Sequence, residues 1–379
     1  MSSADHPRAG FLALELDGDG AHPAAWRAAR HAPTELLSGV RLRSTVLAAE
    51  SAGFHVATFS DGPVGAAGLD IAGRLDAVQR AAFAGPITRS IILVPEVDTV
   101  FTEPFHVATQ LASLDYVSAG RAGWLVAASG SEGEGAAVGR SAVEGAGRAA
   151  EAAAAVEVSR RLWDSWEDDA VIRDVDSGRF LDVDKLHYAD FETDPDFPGA
   201  GYSVKGPAII PRPLQGQLPV VAPAELLADG LAVGAPDSGV DAVLVTAPSL
   251  EQLGAAVAEV RAQGAVAVIA ELEVVLDARG QRAEERLAQL DAQTPWPSRR
   301  ARYLGDAAGL VELLSELLAT ADGVRLHPAV VDVELEELSR LVLPELRRRG
   351  VLAPTTPEAT FRSLLGLEHP TNRYATAGH

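Results

Sequence analysis

The sequence predicts a single α/β domain, a (β/α)8 barrel of the TIM type, spanning residues 1–379 with an insertion over residues 167–218 and a C-terminal tail over residues 351–379. Three observations carry that prediction. Short apolar runs of strand length alternate with helical segments along the chain. The runs are apolar throughout rather than alternating with polar residues, as expected of parallel strands covered on both faces. Eight such runs can be counted, the number a closed barrel requires. A doubly wound open sheet is the runner-up, but no G-x-G-x-x-G follows the first run.

The first run is F-L-A-L-E-L (Phe11–Leu16), followed by the polar, glycine-rich loop D-G-D-G-A-H-P-A-A-W-R. A helix ending at Gly53 leads to the second run, H-V-A-T-F-S-D (His55–Asp61), and R-S-I-I-L-V-P-E (Arg89–Glu96) is the third. Glu103 to Trp124 is the most structured stretch: Pro104 suits a first helical turn, and Phe105, Ala108, Leu111, Ala112 and Tyr116 recur at helical spacing. Gly120 stops that helix, and Trp124–Ser129 is the fourth run. The alanine-rich segment from Glu134 to Trp166 reads as one long helix or two abutting ones.

Residues Glu167 to Leu218 are rich in Asp, Pro, Gly and aromatics without periodicity, an insertion expected over one end of the barrel, where it would select a substrate. Pro219–Pro223, Asp241–Ala247 and Ala265–Asp277 are the fifth to seventh runs. An arginine-rich segment and a leucine-rich helix precede the eighth, G-V-R-L-H-P (Gly323–Pro328).

A hydrophobic fraction of 47% supports a sizeable core. Lys and Arg total 32 against 53 Asp and Glu, a net charge of −21 that disfavours nucleic acid and anionic membrane as partners. With no cysteine, disulfides, thiolate nucleophiles and iron–sulfur clusters are excluded, and no metal site is expected. The N-terminus lacks an apolar signal core, so a cytoplasmic location is expected.

Several stretches together resemble one family. E-P-F-H-V-A-T-Q-L-A-S-L-D-Y-V-S-A-G-R-A-G-W, L-W-D-S-W-E-D-D-A-V (Leu162–Val171), S-G-R-F-L-D-V-D-K-L-H (Ser177–His187) and Y-S-V-K-G-P-A-I-I-P-R-P-L-Q-G (Tyr202–Gly216) are similar to blocks of the bacterial luciferase-like, flavin-dependent monooxygenases. The nearest branch is that of nitrilotriacetate and dibenzothiophene sulfone monooxygenases and pristinamycin synthase. The tail F-R-S-L-L-G-L fits as well, so the resemblance runs from about Gly10 to Leu367.

That resemblance implies a TIM barrel whose strands hold reduced FMN at their C-terminal ends. A separate flavin reductase would supply the FMN, and a small organic substrate would be oxidised with O2. It also implies a dimer. Carried over by position, Asp61, Thr99, Ser129 and Arg148 are the candidate cofactor-binding residues, and His22 in G-A-H-P-A-A-W-R is the candidate catalytic group. His106 reads as structural and His327 as a lesser candidate.

The chain departs from the family pattern at several flavin-contact positions: Glu96 replaces a threonine, Leu125 and Ala128 replace Asn and Thr, and Gly145 and Ala149 replace His and Tyr. The phosphate-binding turn Q-A-G-S-S becomes P-A-E-L-L, with Glu225, Leu226 and Leu227 in place of Gly, Ser and Ser. Phosphate sites use free backbone N–H groups, hydroxyls and Arg, which these substitutions remove or oppose. Three functional readings follow: an active monooxygenase with transient FMN, a paralogue without flavin acting as a binding protein or non-catalytic subunit in a heterodimer, and a deazaflavin-dependent oxidoreductase.

Overall fold

The computed structural model describes residues 9–61, 73–233 and 239–375; the N-terminal segment 1–8 and the last four tail residues lie outside them. Eight parallel strands close into a barrel: β1 (Phe11–Glu15), β2 (Val56–Phe59), β3 (Ile92–Asp98), β4 (Trp124–Ala127), β5 (Val220–Pro223), β6 (Ala242–Val245), β7 (Ala267–Leu276) and β8 (Gly323–Pro328). Closure comes from β6 pairing with β7 and β8 with β1. All eight expected runs are strands.

One further parallel strand, Ala301–Gly305, was not expected; it pairs with the outer half of β7, Leu272–Leu276. Its sequence A-R-Y-L-G is only half covered, so it lacks the apolar continuity that marks the others.

The surrounding helices are α1 (Gly39–Ala52), α2 (Ala77–Ala84), α3 (Pro104–Val117), α4 (Ala146–Asp164), α5 (Ala224–Ala228), α6 (Leu250–Ala262), α7 (Ala307–Leu317) and α8 (Val331–Glu337). Side chains of Ser38, Asp76, Glu103, Ser249 and Asp306 each accept a hydrogen bond from an otherwise unpaired first-turn amide, which fixes where five of these helices begin. The alanine-rich segment forms two helices, Glu132–Ala137 and α4, separated at Gly139 and Gly145, whose φ angles are +72° and +49°. On α3, Ala108, Leu111 and Ala112 are buried as predicted. Tyr116, at the end of the same face, is 40% exposed and donates its hydroxyl to the Arg212 carbonyl at 2.7 Å.

Inside the barrel, alternate strand residues stack in layers. The lower layers are apolar, with Phe11, Val56, Ile92, Val94, Leu125, Val221, Leu244 and Ile269 in one cluster. Gly323 leaves room for the Phe11 ring; a Cβ there would lie 2.4 Å from it. The short helix Phe361–Leu365 seals the floor, with Phe361 and Leu365 joining the same cluster. Gly123 of the G-R-A-G-W motif permits this, since a Cβ would sit 2.4 Å from the Phe361 ring.

The motifs that carry the family resemblance meet at this N-terminal face. Asp115 accepts from the Gln215 backbone N–H at 3.0 Å and side-chain amide at 2.7 Å, while Gln215 Oε1 accepts from Arg362 N–H at 3.1 Å. Arg212 bonds Asp164 and Asp168, both at 2.9 Å, and the Pro370 carbonyl at 3.1 Å. Arg121, 4% exposed, donates to the carbonyls of Gly85, Thr88 and Ile91.

The insertion begins and ends at this face. Its body packs along α3 and α4, where Ala108, Val158 and Leu162 meet Ala170, Ala189, Val204 and Ala208. It flanks the barrel rather than covering its mouth. Among the described residues, no helix is long and apolar enough to cross a membrane, and no group of His, Asp and Glu is arranged to hold a metal.

Phe361 is 1% exposed, so Phe361→Ala should cost about 3–5 kcal/mol. Urea unfolding of the full chain followed by tryptophan fluorescence measures this. A loss under about 1 kcal/mol would mean that the floor is not part of the core.

Candidate functional site at the barrel mouth

The same alternation that stacks apolar residues below delivers charged ones above. Glu15 follows Phe11 and Ala13 in phase, Glu96 follows Ile92 and Val94, Glu271 follows Ala267 and Ile269, and Arg325 follows Gly323. They converge near the C-terminal ends of the strands, where barrel enzymes place their chemistry.

Arg325, 3% exposed, is the hub. It donates to Glu15, to Thr58 Oγ1 at 2.9 Å, to Glu271 Oε1 at 2.9 Å and to Ser60 Oγ at 3.2 Å, and it lies 4.0 Å from Glu96. The Thr58 hydroxyl in turn donates a hydrogen bond to Glu15 Oε2 at 2.6 Å. On the far side, Glu271 accepts from Thr246 and pairs with His327 Nε2 at 2.9 Å and with Arg300 at 3.4 Å.

Burial opposes ionisation of every acid here, and the partners decide each outcome. Against burial, Arg325 holds the Glu15 carboxyl below its ordinary value, and the His327 bond with Arg300 and Arg325 holds Glu271 well below. Glu96 has the weaker contact with Arg325 and feels the charges of Glu15 and Glu271. Burial therefore pushes it up to about 7. His327 is driven down to about 4 by burial and by Arg300, and is neutral.

Each of the sequence-predicted site residues makes a contact within the protein. His22 is 1% exposed; its Nδ1 accepts from Ala24 N–H at 3.0 Å, its Nε2 meets Asp291 at 3.1 Å, and its ring tilts against Trp296. Burial lowers its pKa despite the Asp291 bond. Asp61 accepts from Ala77 N–H at 2.5 Å and so holds the start of α2. The Thr99 hydroxyl donates to the Ala127 carbonyl at 2.9 Å. Ser129 N–H donates to Asp98 at 2.6 Å, and Arg148 pairs with Asp229 at 3.5 Å.

Above the charged layer opens a cavity of about 410 Å³. Glu15, Arg300 and His327 line it together with Trp26, Leu36 and Leu37. Of the five predicted residues only His22 borders it. No residue of the 167–218 insertion lines it.

FMN as an anchored cofactor does not fit the residues present. The turn after β5, where the resemblance places the phosphate, is the start of α5; Leu226 is 3% exposed in the main core and Leu227 packs against that core. Glu225 stands in the first turn of that helix, so the turn offers an anion a carboxylate and no hydroxyl. At the ring end, Glu15, Glu96 and Glu271 are already organised by Arg325.

Glu96 gives the mouth a pH dependence with a definite sign. Its folded pKa of about 7 lies above the ordinary 4.5, so the folded chain binds this proton more tightly. The stability it contributes is fully present below about pH 4.5 and is lost as pH rises through 7. The urea midpoint should therefore fall from pH 5 to pH 7, and Glu96→Gln should flatten that slope; parallel slopes in the two proteins would remove Glu96 as its source.

The family profile of the luciferase-like monooxygenases matches residues 23–343. N-acetyl-S-(2-succino)cysteine monooxygenase of Bacillus subtilis (strain 168) is 28% identical over 76% of this chain and 80% of its own length. Nitrilotriacetate monooxygenase component A of Aminobacter aminovorans is 38% identical over 36% of this chain and 28% of its own. Among solved structures, riboflavin lyase with modified FMN and riboflavin superposes with a TM-score of 0.80 at 20% identity, covering 97% of this chain and 98% of that one, a likeness of fold. The profile runs from β2 through β8, well over half of the chain, and the chain belongs to the luciferase-like monooxygenase family.

Proposed function

We propose that this chain binds a small organic molecule in the mouth cavity without the anchored FMN expected of its family, acting as a binding protein or as the non-catalytic subunit beside a related barrel. The observation that carries this reading is the turn after β5: Leu226 is committed to the core and Glu225 replaces a phosphate donor. The retained cavity supports the binding half of the proposal.

One observation favours a second reading, a monooxygenase that takes reduced FMN transiently from a separate flavin reductase and oxidises a small organic substrate with O2. Arg148 Nε is buried without a hydrogen-bond partner and sits on α4 beside Asp229, one residue beyond α5. Such a donor suits a phosphate oxygen. A deazaflavin phosphate would meet the same turn.

Anaerobic titration of the full chain with reduced FMN separates the readings. No saturation up to high micromolar flavin is expected; saturable binding in the low micromolar range would establish the monooxygenase reading instead. Pairing of two barrels is expected in either case. Light scattering should give twice the 39.5 kDa chain mass, or a mixed dimer with a related barrel, and a purely monomeric mass in both settings refutes it.

A further inference from the structure

The mouth cavity is lined by two kinds of side chain. Trp26, Leu36, Leu37 and Leu42 are apolar. Four guanidinium groups, Arg41, Arg74, Arg80 and Arg300, stand with the three carboxylates Glu15, Asp17 and Asp19. In a chain of net charge −21 this is a local reversal of sign.

The carboxylates are largely engaged within the protein. Glu15 is held by Arg325 and Thr58, Asp17 meets Arg74 at 3.0 Å and Arg80 at 3.4 Å, and Asp19 pairs with His31 at 2.5 Å. Among them only Asp19 Oδ2 lacks a partner. The guanidiniums are engaged to different degrees: Arg41 pairs with Asp332 at 2.7 Å, Arg80 donates to the Leu16 and Ser60 carbonyls, and Arg300 meets Glu271 through its Nε at 3.4 Å.

A partly exposed guanidinium lining a cavity, held within the protein by one long contact, is a place for an acceptor brought by a ligand. Arg300 is the most available of the three. Its side chain is 36% exposed, and its contact with Glu271 is a single ion pair at 3.4 Å.

We propose that the cavity recognises a small organic anion with an apolar body, a medium-chain or aromatic monocarboxylate. Arg300 receives the carboxylate, with Arg41 and Arg80 behind it, and the body lies against Trp26 and Leu37. The planar guanidinium matches a carboxylate in shape and charge, and the apolar lining supplies the contact that fixes orientation. This rests on the reading of the mouth as a small-molecule site and names the class of molecule.

Titration calorimetry of the full chain with octanoate and phenylacetate, and with octanamide and phenylacetamide, tests it. The acids should bind about tenfold or more tighter than the amides, consistent with the strength of charge-assisted bonds. Arg300→Gln should bring acid affinity down to the amide level. Leu37→Trp, which fills the apolar wall from a position 46% exposed, should weaken acids and amides together and places the site if Arg300→Gln proves unstable. Amides binding as tightly as acids, or an Arg300→Gln protein that keeps the preference, overturns the proposal and leaves the cavity as a site for neutral ligands. Binding of none of the four compounds overturns the cavity reading itself.

Discussion

A single buried guanidinium governs the upper half of this barrel. Taking Arg325 and its carboxylate partners out of water costs several kcal/mol per charge, recovered only because each finds close, well-directed partners. Arg325 has them on three strands at once: Glu15 on β1, Thr58 on β2 and Glu271 on β7. The arrangement ties the place where β8 meets β1 to the strands on either side. It also fills the mouth with a charge pattern of its own. Glu96, farthest from the hub, is the member left undecided between its charged and neutral forms at neutral pH.

The two ends of the barrel have diverged in what they retain. At the N-terminal face, Asp115, Gln215, Arg362, Arg212 and Asn372 form a continuous polar junction joining α3, the end of the insertion and the tail. At the C-terminal face, Leu226 and Leu227 have joined the core, and Asp61 supports a helix start. Barrels separate stability from chemistry in this way, the lower face holding the fold and the upper loops carrying function. Family membership therefore describes the lower face well and says much less about what the upper face binds.

The fold was legible because its signals are redundant. Eight apolar runs, the helix stops and the capping residues all agree, and Gly123 and Gly323 gave no conflict because their absent side chains admit Phe361 and Phe11. The charged hub was harder to see. Glu15, Glu271 and Arg325 sit inside runs that read as uniformly buried, and only their phase relative to Phe11, Ile269 and Gly323 shows that they point inward together. Period-two bookkeeping within each strand would have exposed them. The cavity is less legible still, since Trp26, Leu37, Arg80 and Arg300 come from four separate segments. Tyr116 misled for a related reason: its place on the helical face is right, but its hydroxyl finds the Arg212 carbonyl at the rim.

The floor made by Phe361 and Leu365 comes late in the sequence yet lies deep in the molecule. It follows β8 in the chain and packs beneath strands that begin at residue 11. Without it the ring of strands would present an open apolar well in the space that Gly123 leaves for the Phe361 ring. A chain ending before Phe361 would therefore expose its deepest apolar layer to water and to any chaperone that recognises such surface.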